Sequence, residues 1–283
     1  MKTIIPVARD IKSLRKRIVR WRGQGLKTAL VPTMGALHDG HLSLVDAVHK
    51  NADRVVASIY INPTQFAAGE DLSTYPRDEA GDLKKLKSHK TNLAYVPDNT
   101  EMYPDGFSTT VSVSGPANAG LEDKHRPHFF DGVATIVAKL LIQARCDIAI
   151  FGEKDYQQLL VITHMARDLN IPTQIYGGET IREIDGLAMS SRNMYLSDKE
   201  REIAPSLHKV LQDTAEKLRA GKVPKTVLAS AKRTLTKTGF KTDYVEARNA
   251  ETLAHLTPGK DEPVRLLAAA HLGKTRLIDN IAV

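Results

Sequence analysis

The chain has 283 residues, 42% of them apolar and 26% charged, a composition that excludes a disordered chain and leaves room for two domains. The 40 basic against 33 acidic residues give a net charge of +7, but many of the lysines fall in Lys84–Lys90 and Lys222–Lys241, where Phe240 is the single aromatic. That is the pattern of solvated helix faces, so no nucleic-acid partner is expected. One cysteine, Cys146, excludes an intrachain disulfide and reads as a small buried apolar residue.

Taken in chain order, Met1–Asp10 has no sustained apolar core and does not read as a signal peptide. No apolar run reaches the roughly 20 residues of a membrane helix, so no membrane partner and a cytoplasmic location are expected. Thr28–Pro32 reads as a buried strand, followed by a turn at Met34-Gly35 and a helix from Gly40 to Ala52. Arg54–Ile61, rich in β-branched residues, is a second strand. Asp78–His89 reads as a helix, Leu93–Val96 as a strand and Phe130–Gln143 as a helix. Asp147–Phe151 is a further strand, Lys154–Asn170 a further helix, and Gln174–Tyr176 the last strand of the series. Such alternation predicts an α/β fold, a parallel sheet with helices on both faces. Ligands of such sheets bind beyond the carboxyl ends of the strands.

The texture changes near residue 179. Ser197, with Glu200 three residues on, has the form of a capping box. Helices over Asp198–Ala220 and Pro224–Thr238 precede short strands at Asp243–Arg248 and Val264–Ala270. A first domain over 1–178 and a smaller α+β domain over 179–283 are expected.

Three segments carry chemistry. Pro32–His41 (PTMGALHDGH) follows the first strong strand and places His38 and His41 three apart at a helix start. Free N–H groups and the helix dipole there favour an anion. Gly35 and Gly40 would let a phosphate chain approach the backbone, and the imidazoles would stabilise charge moving onto a leaving pyrophosphate. The alternative is a pair of capping or core histidines. Phe151–Gln158 (FGEKDYQQ) again joins a strand to a helix; Lys154 offers a point charge to phosphate, with Asp155 and Gln158 one turn apart. By itself it could be an ordinary helix cap. Asp185–Asn193 (DGLAMSSRN) sets two hydroxyls before Arg192, whose guanidinium is a permanently charged fork. Its alternative is a turn between domains.

Together, His-x-Gly-His and the Met-Ser-Ser-Arg loop resemble the nucleotidylyl-transfer superfamily that includes class I aminoacyl-tRNA synthetases. The strings PTMGALHDGH, NPTQF, FGEKDYQQ and REIDGLAMSSRN, with YPRD at Tyr75–Asp78 and RLIDN at Arg276–Asn280, resemble the pantothenate synthetase family over residues 31–280. The resemblance implies a Rossmann-like first domain and a smaller domain closing over ATP, in a homodimer. It implies ATP-dependent condensation of pantoate with β-alanine through a pantoyl adenylate. ATP would lie along Met34, Gly35, Ala36, Leu37, His38, Asp39, Gly40 and His41. It would continue along Gly152, Glu153, Lys154 and Asp155, then Ile181, and then Met189, Ser190, Ser191 and Arg192. His41, His38, Lys154 and Arg192 would be catalytic. Gln65 would hold pantoate and β-alanine, Gln158 pantoate, and Asn62 would be a further substrate residue. Asp82 would help to hold Mg²⁺.

Two positions depart from that family's pattern. Phe129 stands where the family's Arg-Pro-Gly-His-Phe string has histidine, and Thr64 where methionine is commoner. Gly273-Lys274-Thr275 is not a phosphate-binding loop, because position 268 is Ala and the leading glycine is missing. His125 and His128 flank Pro127, which is poor geometry for a zinc pair, and Trp21 reads as packing. Two rival functions share some motifs: a nucleotidyltransferase that stops at the adenylylated product, and an RNA-binding relative of the synthetases.

Overall fold

The computed structural model describes residues 5–66 and 70–283; Met1–Ile4 of the N-terminal stretch discussed above lie outside the described residues. The chain folds into two compact units. The first comprises the chain up to Val113, Arg126–Glu153 and Val161–Glu179; the second comprises Ser114–His125, Lys154–Leu160 and Thr180–Val283. A single cut at 178/179 therefore leaves out two short stretches that group with the second unit. The physical reason is pairing distant in sequence: Glu122 is bound by Arg276, and the Gln157 amide donates to the Pro116 carbonyl.

The first unit contains β1 (Val7–Ala8), α1 (Ile11–Gly23), β2 (Thr28–Thr33), α2 (Asp39–Val48) and β3 (Arg54–Ile59). It continues with α3 (Glu79–Ser88), β4 (Leu93–Tyr95) and α4 (Asn99–Met102). The short α5 (Glu122–His125) falls in the second unit. The first unit resumes with α6 (Phe129–Ala144), β5 (Ile148–Gly152), most of α7 (Tyr156–Asp168) and β6 (Gln174–Gly178). The six strands form one parallel sheet in the order β1-β4-β3-β2-β5-β6. Val31, Val55, Ala57 and Ile148 from the strands pack with Leu42, Val45 and Leu86 from the helices. Asp10 caps α1 through the Ser13 N–H, and Trp21 on that helix is buried. Cys146 is buried, which pushes its thiol up to about 12.

Chain order reverses at β2, which pairs with β3 over six residues but with β5 only at Ala29↔Ile148 and Leu30↔Ala149. Beyond Leu30 and Ala149 those two strands are unpaired to each other up to their carboxyl ends at Thr33 and Gly152. This is the switch point at which ligands bind on open α/β sheets.

The second unit contains α8 (Asp198–Ile203), α9 (Ser206–Arg219), α10 (Pro224–Lys237), β7 (Lys241–Asn249), β8 (Val264–Leu272) and β9 (Thr275–Ala282). Its strands form an antiparallel sheet in sequence order. One face packs Leu266, Ala268 and Leu277 on Leu207, Leu211 and Leu235 of α9 and α10. The other packs Leu267, Ala269 and Ile278 with Leu121, Tyr156 and Leu160. The expected helix over 198–220 is broken between Ile203 and Ser206. Pro205 has no N–H to continue the ladder, and its ring crowds the carbonyl one turn back. Ser197 and Glu200 form the expected capping box. Among the described residues, no helix is long and apolar enough to cross a membrane.

Candidate active site

In the first unit the histidine loop runs from β2 into α2 through two successive left-handed residues, Gly35 (φ +85°) and Ala36 (φ +50°). A Cβ at Gly35 would lie 3.1 Å from both Asp82 Oδ2 and Ile59 Cγ2, so only glycine fits that turn without strain. The turn aims the Ala36 and Leu37 N–H groups at the Asp82 carboxylate, at 2.9 and 2.8 Å. Lys85, one turn along α3, donates to the Leu37 carbonyl at 2.6 Å.

His38 is the N-cap of α2, and its Nδ1 accepts from the Gly40 N–H at 3.2 Å. His41 Nδ1 accepts from the His38 N–H at 3.4 Å, and the two rings stand 4.1 Å apart. A neutral imidazole whose Nδ1 accepts carries its proton on Nε2. In the neutral form of each ring these contacts place the proton on Nε2. Free backbone N–H groups are expected at this helix start, but those of Ala36, Leu37, His38, Gly40 and His41 have internal acceptors.

Asp82 is almost fully buried and both oxygens accept from the loop; burial pushes its carboxyl up, against the pull of those two bonds. Asp82 thus holds the histidine loop. Among the described residues no group of three or more His, Cys, Asp or Glu is placed to hold a metal ion.

Asn62 is 1% exposed, and its Nδ2 donates to the Gly132 carbonyl. Its Oδ1 accepts from the Tyr103 and Thr64 hydroxyls at 2.8 and 3.0 Å. It braces the Pro63–Gln65 turn against α6. Gly132 permits that approach, because a Cβ there would stand 2.4 Å from the Thr64 carbonyl oxygen. Thr64, the departure from methionine, joins this network by its hydroxyl. Gln65 ends the turn half-buried; its carbonyl accepts from Arg126 at 3.0 Å. Phe129, the other departure, lies under the Arg126 guanidinium at 3.7 Å, while Arg126 also grips Glu70. A ring at position 129 thus supports the arginine that fixes the Gln65 backbone.

In the second unit, Lys154 opens the stretch that follows Glu153 in the tight turn Glu153–Asp155. Its ammonium lies 3.7 Å from Asp155, and its side chain is largely sheltered. Gln158 is half-buried one turn later, whereas its neighbour Gln157 is buried and spent on the Glu122 N–H, the Pro116 carbonyl and Asp123. The Met-Ser-Ser-Arg loop leaves a narrow hairpin in which Met189 N–H donates to the Ile181 carbonyl and Arg182 bridges Ala188. Ser190 then caps the turn Ser191–Tyr195 by accepting from the Arg192 N–H, and Asn193 donates back to the Ala188 carbonyl. Leu37 and Gly35 are buried; the other residues expected along ATP, in 34–41, 152–155, 181 and 189–192, are at least partly accessible.

The profile of the family described as Pantoate-beta-alanine ligase matches residues 6–282. The chain belongs to that family. A pantothenate synthetase of a Bradyrhizobium species (strain BTAi1) is 55% identical over 277 residues, 98% of each chain. The crystal structure of pantothenate synthetase from Thermus thermophilus superposes with a TM-score of 0.91 at 40% identity, covering 98% of this chain and 99% of that one. A pantoate-beta-alanine ligase from Francisella tularensis, complexed with beta-gamma ATP and beta-alanine, gives 0.83 at 33% identity over 98% and 97%. The matches extend over both units, so the α/β parallel-sheet unit and the smaller three-stranded unit are the fold of the family.

Proposed function

We propose that the chain joins pantoate to β-alanine with ATP by way of a pantoyl adenylate, and that His38, His41, Lys154 and Arg192 do the electrostatic work of the first step. A carboxylate does not react with an amine at neutral pH, because its leaving group would be oxide. Attack of a pantoate carboxylate oxygen on the α-phosphorus forms the mixed anhydride and breaks the bond to the β-phosphate, releasing pyrophosphate. The β-alanine amine, having lost a proton, then forms the amide bond as AMP departs. No protein nucleophile is needed; the task is positioning and charge stabilisation.

The observation that carries this reading is the pairing of His38 and His41 at the start of α2, rings 4.1 Å apart, beside the sheet's switch point. Their imidazoles would donate to phosphate oxygens as negative charge grows there. Lys154 adds a point charge and Arg192 a fork for phosphate oxygens. Mg²⁺ would arrive on the ATP phosphates, with Asp82 helping to hold it. Gln158 would hold pantoate and Gln65 pantoate and β-alanine, because a neutral amide binds a carboxylate without quenching its nucleophilicity. A homodimer in the cytoplasm is part of the same proposal, with the second unit as the lid over ATP.

The test is exchange of labelled pyrophosphate into ATP. Pantoate alone should support it, with AMP accumulating catalytically only once β-alanine is added. Exchange that strictly required β-alanine would rule out the adenylate. Exchange driven by RNA instead of pantoate would overturn the substrate assignment.

A further inference from the structure

Strand β9 carries two polar residues side by side, Asp279 and Asn280, each 3% exposed. Successive residues of a strand face opposite sides of the sheet. Accordingly, Leu277 and Ile281 pack on the α9–α10 side and Ile278 on the Tyr156–Leu160 side. Asp279 shares the first side and Asn280 the second. Buried polar side chains at adjacent positions of a strand cost folding free energy unless they are bonded, so their partners indicate what they are for.

Asp279 accepts both terminal nitrogens of Arg182, at 2.7 and 2.9 Å. Arg182 also donates to the Gly186 carbonyl and forms the antiparallel bridge with Ala188. Asp279 thereby fixes the root of the hairpin that delivers Met189–Arg192. His208 Nδ1 stands 3.4 Å from the same carboxylate, and a Cβ on Gly186 would lie 3.1 Å from that imidazole. On the other face, Asn280 Oδ1 accepts from Arg265 Nε at 2.6 Å. That contact settles which way the amide points, and its Nδ2 donates to the Lys154 carbonyl at 2.9 Å. Arg265 in turn stacks at 4.1 Å over the ring of Tyr156, two residues after Lys154.

We propose that Asp279 and Asn280 are positioning residues for adenylation: one strand, through its two faces, sets the placement of Lys154 and of the Met189–Arg192 loop relative to each other. Neither residue touches the nucleotide; each acts through the backbone of a segment that does. The proposal rests on the assignment of Lys154 and Arg192 to ATP.

The test uses Asp279→Asn, Asn280→Asp, Lys154→Ala and Arg192→Ala in the full chain. Asn280→Asp keeps the acceptor for Arg265 but replaces the donor to Lys154 with a charged oxygen that faces the Lys154 carbonyl; Asp279→Asn keeps the shape and loses the charge that holds Arg182. Each should lower pantoate-dependent pyrophosphate exchange about ten- to hundred-fold, on the scale of one lost charge-assisted contact. Conversion of preformed pantoyl adenylate by β-alanine, which also reports the folded fraction, should be nearly unchanged. In double-mutant cycles, Asn280→Asp should couple to Lys154→Ala and Asp279→Asn to Arg192→Ala, each pair losing less than the product of its single losses. Equal losses in both half-reactions, or simple multiplicative losses in the cycles, would overturn the proposal. If Lys154→Ala and Arg192→Ala collapse exchange while the β9 variants do not, only the positioning role fails. If the first two also leave exchange intact, the ATP assignment falls and takes this proposal with it.

Discussion

In the first unit the histidine loop is fastened by contacts to its own backbone: a carboxylate takes two N–H groups, a lysine takes a carbonyl, and two imidazoles cap the turn. In the second unit the corresponding work is done by buried charges. Arg276 holds Glu122 at 2.7 and 2.9 Å and Asp243 at 2.8 Å, with the Tyr244 hydroxyl donating to Glu122 at 2.7 Å. Burial and the Glu122 carboxylate push the Tyr244 hydroxyl well up from its ordinary range. Asp279 and Arg182 form a second such pair. The difference lies in how each arrangement fails. A lost backbone contact loosens one turn, whereas a lost partner in a buried pair strands a charge and destabilises everything packed around it.

The largest expected effect tests the second arrangement. Arg276→Met leaves the buried Glu122 and the half-buried Asp243 without their arginine, and should cost about 3–5 kcal/mol in urea unfolding followed by a probe in the second unit. A loss under about 1 kcal/mol, the worth of an exposed pair, would mean the network does not hold the unit together. Next come the side chains that the fastenings present. His41→Ala and Lys154→Ala should each lower kcat of adenylation on the order of 10²-fold or more, with the second half-reaction from preformed adenylate largely spared. Equal loss in both halves would assign these residues to structure.

Smaller effects separate reading a substrate from holding a loop. Gln158→Ala and Gln65→Ala each remove a hydrogen bond to a polar or charged ligand group, worth about 1.5–3 kcal/mol. Pantoate affinity should fall roughly ten- to hundred-fold while ATP affinity holds; titration calorimetry with unchanged pantoate binding in both variants would remove the amides from the site. The smallest effect is expected at the capping box. Ser197→Ala should cost about 1 kcal/mol of stability and leave both half-reactions as they are. A change in the pyrophosphate-exchange rate would show that the helix start after the Met-Ser-Ser-Arg loop reports to the chemistry.

The parallel sheet was legible because its strands are apolar runs bounded by turns, and the helices between them keep a clear period. The histidine loop was legible because it follows such a strand. What the sequence did not reveal depends on distant partners. Nothing around Asp82 announces that its carboxylate closes on N–H groups 46 and 45 positions earlier. Nothing around Asn62 announces that its amide meets Gly132, Thr64 and Tyr103. Strand β9 was missed because Asp279 and Asn280 interrupt its alternation with buried polar groups. Their meaning lies in Arg182 and Lys154, 97 and 126 residues away. The break at Pro205, by contrast, was carried by the residue itself.

Cys146 lies 3% exposed two residues before β5, with its thiol pushed up to about 12 by burial. At neutral pH almost none of it is thiolate, the form that alkylating reagents attack. Because the chain has no other cysteine, it is chemically silent towards thiol-directed labels without any prior mutation. A cysteine introduced at Ile142, 48% exposed on α6, and another at Val223, 64% exposed just before α10, would be the reactive pair. Spin labels or fluorophores at those two positions, one on each unit, could measure the distance between the units as ATP and pantoate bind.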